Sequence, residues 1–403
     1  MRIKLLHSLL ILILLSAAWI QHASAQTSSS EELSLRSFVE EALKNSPKIK
    51  EARYRWGAAV EKVSHVSTLP NPMISYTYFP DPIETRLGPN TSRFMLSQMV
   101  PYPSKLSAKA DIASHDAVME SYRYQKDVRD VITKLSLSYF ELLYIDKAID
   151  IIKQNRKILE LLVKIGSADY ASDATTLSDV LTAQSQLAQL NYDYILLQEL
   201  RETEAGKIVS ILNRPPAESI GRVKDARVEF GYEIGELYDI SKSNQEELKI
   251  IDSMIEKERS AEDLAKLSYY PDFNLSLVYS KIDNPPPMTP DGMLVDDAGK
   301  DSYGVTIGIS LPIWYGKNSS RVKEKSFKRR EMIEKRNVRI NDTNAKLKEL
   351  YFKLNNAKRL MELYTSTLIP QAETTMAKAK EFYEQKQSSY SQLLETQSVW
   401  LNF

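Results

Sequence analysis

The sequence predicts a mainly α protein with a membrane β-barrel contribution, assembled from a duplicated unit of helix, strand, strand, very long helix and returning helix. Three observations predict it. Two helical patterns of roughly 60 residues run almost free of breakers. Four short alternating stretches stand in two pairs, and landmarks recur in both halves of the chain at nearly constant spacing.

The chain opens with Arg2 and Lys4, an apolar run from Leu5 to Ile20, and the small residues Ala23-Ser24-Ala25. This is the layout of a secretory signal peptide, which assigns residues 1–25 to export and a mature start at Gln26. The apolar run is shorter than the ~20 residues a spanning helix needs. The chain has no cysteine, which excludes a disulfide framework, thiolate metal sites and an acylated N-terminal cysteine. Lys plus Arg equals Asp plus Glu at 53 each, so no net field recruits nucleic acid.

The duplication is read from three landmarks. "LPNPMISYTYF" (69–79) corresponds to "YYPDFNLSLVY" (269–279), "FMLSQMVPYPSK" (94–105) to "VTIGISLPIWYGK" (305–317), and "TTLSDVLTAQSQL" (175–187) to "SSYSQLLETQSVW" (388–400). Leu181 thereby faces Leu394, and Gln184 faces Gln397. Residues 26–215 form the first repeat, 216–243 an inter-repeat linker or equatorial segment, and 244–403 the second repeat. The second repeat stops six residues after Gln397, so its C-terminal helix is expected to be truncated. The Pro, Gly and Asp-rich stretch 282–302 reads as a solvent loop between paired strands.

Within the strands, Phe273, Leu275, Leu277 and Tyr279 share one face, as do Tyr303, Val305, Ile307, Ile309 and Leu311, while Ser, Thr, Asn and Gly occupy the other. Ile74, Tyr76 and Tyr78 oppose Ser75 and Thr77, but Arg93 and Gln98 blur the second run. Alone, such strands fit an ordinary half-buried sheet better than a membrane one. The helices decide otherwise, because ~60 residues at ~1.5 Å each give a rod of about 90 Å that no compact domain buries. Its apolar positions, such as Val131, Leu135 and Leu142, recur at three and four residue steps and require a helical partner. Helices returning from about Thr176 and Ser389 supply it, making two hairpins with turns at Gly166 to Asp179 and Lys386 to Gln392. Four strands cannot close a barrel, and open edges do not survive in lipid, so membrane strands here demand an oligomer. The lipid-facing candidates are Ile74, Tyr76, Phe273, Leu275, Leu277, Val305, Ile307 and Ile309.

Taken together, "LSLRSFVEEALKNSPKIKEA", "LPNP", "LPIWYGK" and "DVLTAQSQL", in this order and duplicated, resemble the TolC-like outer-membrane efflux proteins over nearly the whole mature chain. "FMLSQMVPYPSKLSAKADIA" and "LPIWYGKNSSRVKEK" look most like the heavy-metal cation branch. The resemblance implies a bacterial outer-membrane channel extending into the periplasm, a homotrimer with a twelve-stranded barrel and an α-helical tunnel. It further implies a periplasmic adaptor at the hairpin tips, with Gly166, Asp173, Lys386 and Ser388 as docking candidates, and an inner-membrane pump of the RND type. Asp179 and Glu395 stand close to where such proteins carry gate carboxylates, and Gln392 is the repeat counterpart of Asp179. The bland alternative for both acids is a solvated carboxylate favouring a helix N-terminus.

No enzyme is expected. G-x-S-x-G, P-loop and Rossmann patterns are missing from the sequence, and the glycines of "GVTIGIS" share the small face of a strand. His65 and His115 have no second ligand at helical spacing, so neither a cofactor nor a resident metal is expected. The methionines are scattered in sequence and read as core or barrel filling. Residue patterns also admit a periplasmic adaptor or a structural coiled coil, although an adaptor normally carries one hairpin, not two. Within transport, a type I protein secretion channel fits as well as solute or metal efflux.

Overall fold

The computed structural model describes residues 34–226, 230–283 and 297–402. The signal-peptide assignment, and most of the 282–302 loop, therefore lie outside the described residues. Those described divide into two compact units, 34–44 with 134–226 and 45–133 with 230–402.

The elements are α1 (Leu35–Asn45), α2 (Pro47–Val66), β1 (Met73–Ile83), β2 (Asn90–Val100), α3 (Pro103–Ala171), α4 (Leu177–Leu212), α5 (Ile234–Asn244), α6 (Glu246–Lys266), β3 (Phe273–Ile282), β4 (Ser302–Ile309), α7 (Tyr315–Leu363), α8 (Ile369–Glu384) and α9 (Tyr390–Leu401). A π turn, Tyr364–Leu368, joins α7 to α8. The anticipated order of helix, strand pair, long helix and returning helix thus appears twice. Helix α3 is longer than its sequence limits, because nothing between Gly166 and Ala171 stops it. Strand β4 is shorter: it ends at Ile309, where Ser310 turns to bond the backbone of Asp272, so Leu311 is outside the strand.

In the first unit, α1 docks by an apolar face of Phe38 and Ala42, both essentially without solvent contact. The Phe38 ring meets Tyr139 edge-on at 6.1 Å, and Leu135, Leu142, Ile208 and Leu212 complete a sealed core. Each such side chain contributes ~1.5–3 kcal/mol on burial. Arg214 forks onto Glu41 at 2.7 and 2.6 Å and holds that carboxyl below the usual carboxylate range. Arg201 ties down the segment after α4, donating to Asp146 at 2.7 Å and to the carbonyls of Ile220 and Gly221.

In the second unit, helices are laced by ion pairs. Arg55 of α2 reaches Glu120 and Asp127 of α3 at 3.0 and 2.5 Å, Lys257 of α6 reaches Asp116 at 2.7 Å, and Arg336 of α7 reaches Asp252 at 2.6 Å. The four strands form one antiparallel meander, ordered β1-β2-β3-β4. Its central contact, β2 on β3, joins the two repeats, with Val100 facing Phe273 and Ser97 facing Ser276.

Candidate functional site

The register sorts the sheet's side chains into two faces. On one, Ile74, Leu96, Leu277 and Val305 align across all four strands, Gln98, Leu275 and Ile307 align below them, and Val100, Phe273 and Ile309 below those. Above runs an aromatic row, Tyr76, Phe94, Tyr279 and Tyr303, with successive ring centroids 4.6, 6.2 and 5.2 Å apart. All eight lipid-facing candidates fall on this face, and Ile74 at 77% and Ile307 at 70% exposure show how openly it is presented. A contiguous apolar face of this kind marks a protein or membrane interaction surface.

Phe94 and Leu96 belong to this surface and were obscured in sequence by their neighbours. Arg93 belongs to the opposite face, where its Nε donates to the Ser280 hydroxyl. Gln98 does lie among the apolar residues, but at the sheet's end its amide donates to the carbonyls of Pro70 and Met99 at 2.9 and 2.8 Å. The signal was the alternation Phe94, Leu96, Val100, which a single polar interruption masked. The other face carries Ser75, Thr77, Ser97, Asn274, Ser276, Ser280, Gly304, Thr306 and Gly308. Strands β1 and β4 are the edges, each with one side unpaired.

The hairpin turns are built alike. After α3, Asp173 adopts φ 59°, the Ala174 amide donates back to Asp169 at 2.8 Å, and the Asp173 amide donates to Tyr170. After α8, Lys386 adopts φ 58°, the Gln387 amide donates to Phe382 at 2.8 Å, and the Lys386 amide donates to Tyr383. This paired back-bonding around a left-handed residue is a Schellman helix end. Three residues later, Thr176 and Ser389 cap the returning helices by accepting from the amides of Asp179 and Gln392. Asp179 and Gln392 are therefore the same structural position, the third residue of the helix.

What those two side chains do differs. The Asp179 carboxylate accepts from the hydroxyls of Thr176 and Thr175 at 2.8 and 3.2 Å, whereas the Gln392 carbonyl accepts from the Ser389 amide at 3.3 Å. In consequence Ser388, the counterpart of Thr175, keeps a buried hydroxyl with no partner among the described residues. Asp173 is exposed, Glu395 is an exposed residue one turn beyond Gln392, and Gly166 sits inside α3 ahead of the turn proper. Among the described residues no cluster of His, Cys, Asp or Glu could hold a metal, and no helix is long and apolar enough to cross a membrane.

Comparison with known proteins bears on most of the chain. Residues 38–214 match the model of the outer membrane efflux protein family. No curated protein matches. Among solved structures, the chain resembles the outer membrane protein VceC of Vibrio cholerae at TM-score 0.72 and 17% identity, over 91% of this chain and 90% of that one. It resembles the outer-membrane channel OprN at TM-score 0.73 and 15% identity, over 91% and 84% of the two chains. The CmeC outer membrane channel of Campylobacter jejuni gives TM-score 0.72 and 17% identity, over 91% and 80%.

Proposed function

We propose that the chain is an outer-membrane channel of the outer membrane efflux protein family, reaching into the periplasm, and we propose the assembly and route through which it works. Three copies pair β4 of one with β1 of the next, closing twelve strands into a barrel. The faces bearing Ile74, Tyr76, Leu277 and Ile307 meet lipid, and the Ser, Thr and Gly faces line the lumen. The long helices α3, α4, α7, α8 and α9 continue the conduit through the periplasm. The tips around Asp173 and Lys386, with Gly166 and Ser388 beside them, receive a periplasmic adaptor that connects to an inner-membrane pump of the RND type. Small solutes or metal cations are exported.

The observation that carries this reading is the two-faced sheet with both edges open. An open-edged sheet with an exposed face that is apolar except for Gln98 is unsatisfied both in water and in lipid, and closure by further copies answers both demands. Placing Arg at Ile307, near mid-strand on the apolar face, should cost about 2–4 kcal/mol and deplete the trimer from outer-membrane fractions. Thr306→Arg, on the lumen side, should assemble. Equal tolerance of the two would overturn the orientation.

Asp179, with Gln392 and Glu395, is assigned to the closed periplasmic gate. Threefold symmetry gathers each carboxylate into a ring, and rings of like charge attract cations. The gate predicts that Asp179→Asn and Glu395→Gln weaken cation selectivity and relieve block by multivalent cations in single-channel recordings. Traces identical to wild type in both respects leave Asp179 as a first-turn carboxylate favouring the helix N-terminus only.

A further inference from the structure

Charge is almost absent from the sheet. Among the residues that pair in its register only Arg93 and Lys281 carry one, and they belong to opposite faces. Lys281 alternates with Tyr279 onto the apolar side, where its ammonium meets Asp283 at 3.7 Å. Arg93 belongs to the small polar side, in the row Thr77, Arg93, Ser280 and Ser302 that crosses all four strands.

The surroundings leave that guanidinium uncompensated. Arg93 is exposed, and its Nε donates to the Ser280 hydroxyl at 3.3 Å. Arg55, Arg201 and Arg214 in the helices each end on a carboxylate, whereas among the described residues Arg93 ends on none. Acids at the same end of the sheet are committed elsewhere: Asp283 to Lys281, Asp297 to Lys300, and Asp301 to the Tyr279 hydroxyl and the Ile282 amide. Along β2, Arg93 stands ~10 Å from Asn90, at the end remote from the helices, and ~23 Å from Val100.

We propose that Arg93 of three copies forms a ring at the outer end of the barrel lumen that binds one multivalent oxyanion of the carboxylate class. This rests on the trimeric channel reading, in which the polar face lines the lumen and the site is incomplete without the other two copies. Twelve strands ~4.8 Å apart and tilted by ~35–45° give a perimeter of about 75 Å and a radius of about 12 Å. An extended arginine spans roughly half that radius, which leaves each guanidinium ~6 Å from the axis. The Debye length is ~8 Å at physiological ionic strength, so a solute on the axis feels all three charges together. Guanidinium is a planar fork that matches a carboxylate with two parallel hydrogen bonds, and three such forks around one axis match three carboxylates. Rings of arginine are anion sites in pores by the same electrostatics. The ring and the acidic residues assigned to the gate stand at opposite ends of the conduit, so a blocking ion added from one side distinguishes them.

The test uses the purified full-length protein in a neutral detergent, with citrate as the probe and acetate as its monovalent control. Calorimetry should show one citrate per three chains and no saturation by acetate over the same range. Three exposed charge pairs together correspond to about tenfold in affinity, so Arg93→Gln should weaken citrate binding by roughly that factor or more. Lys281→Gln, nearly level with Arg93 but on the opposite face, should leave it unchanged. No citrate bound by the wild type, one citrate per chain, or equal affinity in Arg93→Gln overturns the ring. Should Arg93→Gln fail to assemble, Ser280→Asp, which sets a carboxylate against the same Nε, decides by the same criterion. In planar bilayers, citrate added from the barrel side should reduce the conductance of the wild type and not that of Arg93→Gln. Failure of the channel reading appears there as absence of conductance in every sample, while failure of the ring appears as conductance that citrate leaves unchanged.

Discussion

In the first hairpin α3 runs 69 residues into its turn without a break, whereas in the second the corresponding path gives way at Tyr364–Leu368 to a π turn and restarts at Ile369 with Pro370. Yet the two turns share one backbone pattern, down to a left-handed residue at Asp173 and Lys386. The difference teaches where the duplicated unit is constrained. Turn geometry depends on a few local hydrogen bonds and was kept in both copies. Helix continuity depends on every residue of a long run, and one proline ends it, since proline lacks the amide and its ring clashes with the preceding turn. The second hairpin absorbs the break with hydroxyls: Thr365 donates to the Met361 carbonyl at 2.7 Å, Ser366 to Glu362 at 2.6 Å, and Thr374 to Pro370 at 2.8 Å. Such π turns often mark functional places in helices.

A second contrast lies just beyond the turns. Leu181 and Gln184 correspond to Leu394 and Gln397 in the repeat, but Leu181 is 51% exposed and Leu394 3%. Helix α4 turns Val180 and Ala183 inward, whereas α9 buries Tyr390, Leu393, Leu394 and Gln397. Gln397 is completely buried, and neither atom of its amide has a partner among the described residues. Identical turns thus lead into helices that present different faces.

The largest effect that bears on this comparison is functional. If both tips contact the adaptor, charge reversal at Asp173 together with Lys386 should abolish export while the trimer persists, as read by crosslinking to the adaptor and by native electrophoresis. Undiminished crosslinking would remove the tips from the interface. Next in size is helix continuity. Lys157 stands as far before Pro370 as Thr176 stands before Ser389, and it is an exposed residue within α3. Lys157→Pro should destabilise the protein by ~3 kcal/mol or more, whereas Pro370→Lys should be tolerated and slow amide exchange over 364–370. A harmless Lys157→Pro would show that the first hairpin has no need of its continuity. Smaller again is the buried amide. Gln397→Leu removes an unsatisfied polar group and should raise stability by about 1 kcal/mol, while Gln184→Leu on the exposed counterpart should stay within ~0.5 kcal/mol. Denaturant midpoints of the two variants provide the comparison, and a loss of stability in Gln397→Leu would mean that the amide has a partner in the assembled protein.

Much of this molecule was legible in its residues because the relevant physics is local. The long helices followed from nearly unbroken 3.6-residue periodicity, and the turns from the segments Gly166 to Asp179 and Lys386 to Gln392. The alternation from Tyr303 to Ile309 assigned one face of β4 without any knowledge of its neighbours. Tertiary structure decided what depends on distant segments meeting. Pairing of β2 with β3 joins Val100 to Phe273, a contact no local pattern encodes, and only that register reveals Phe94 and Leu96 as members of the apolar face. The break at Tyr364–Leu368 required knowing how Pro370 is bypassed, and the unequal burial of Gln184 and Gln397 required knowing which face of each returning helix packs. Periodicity determines which way a side chain points, but which side chains it points beside is settled by register, and register is a property of two strands.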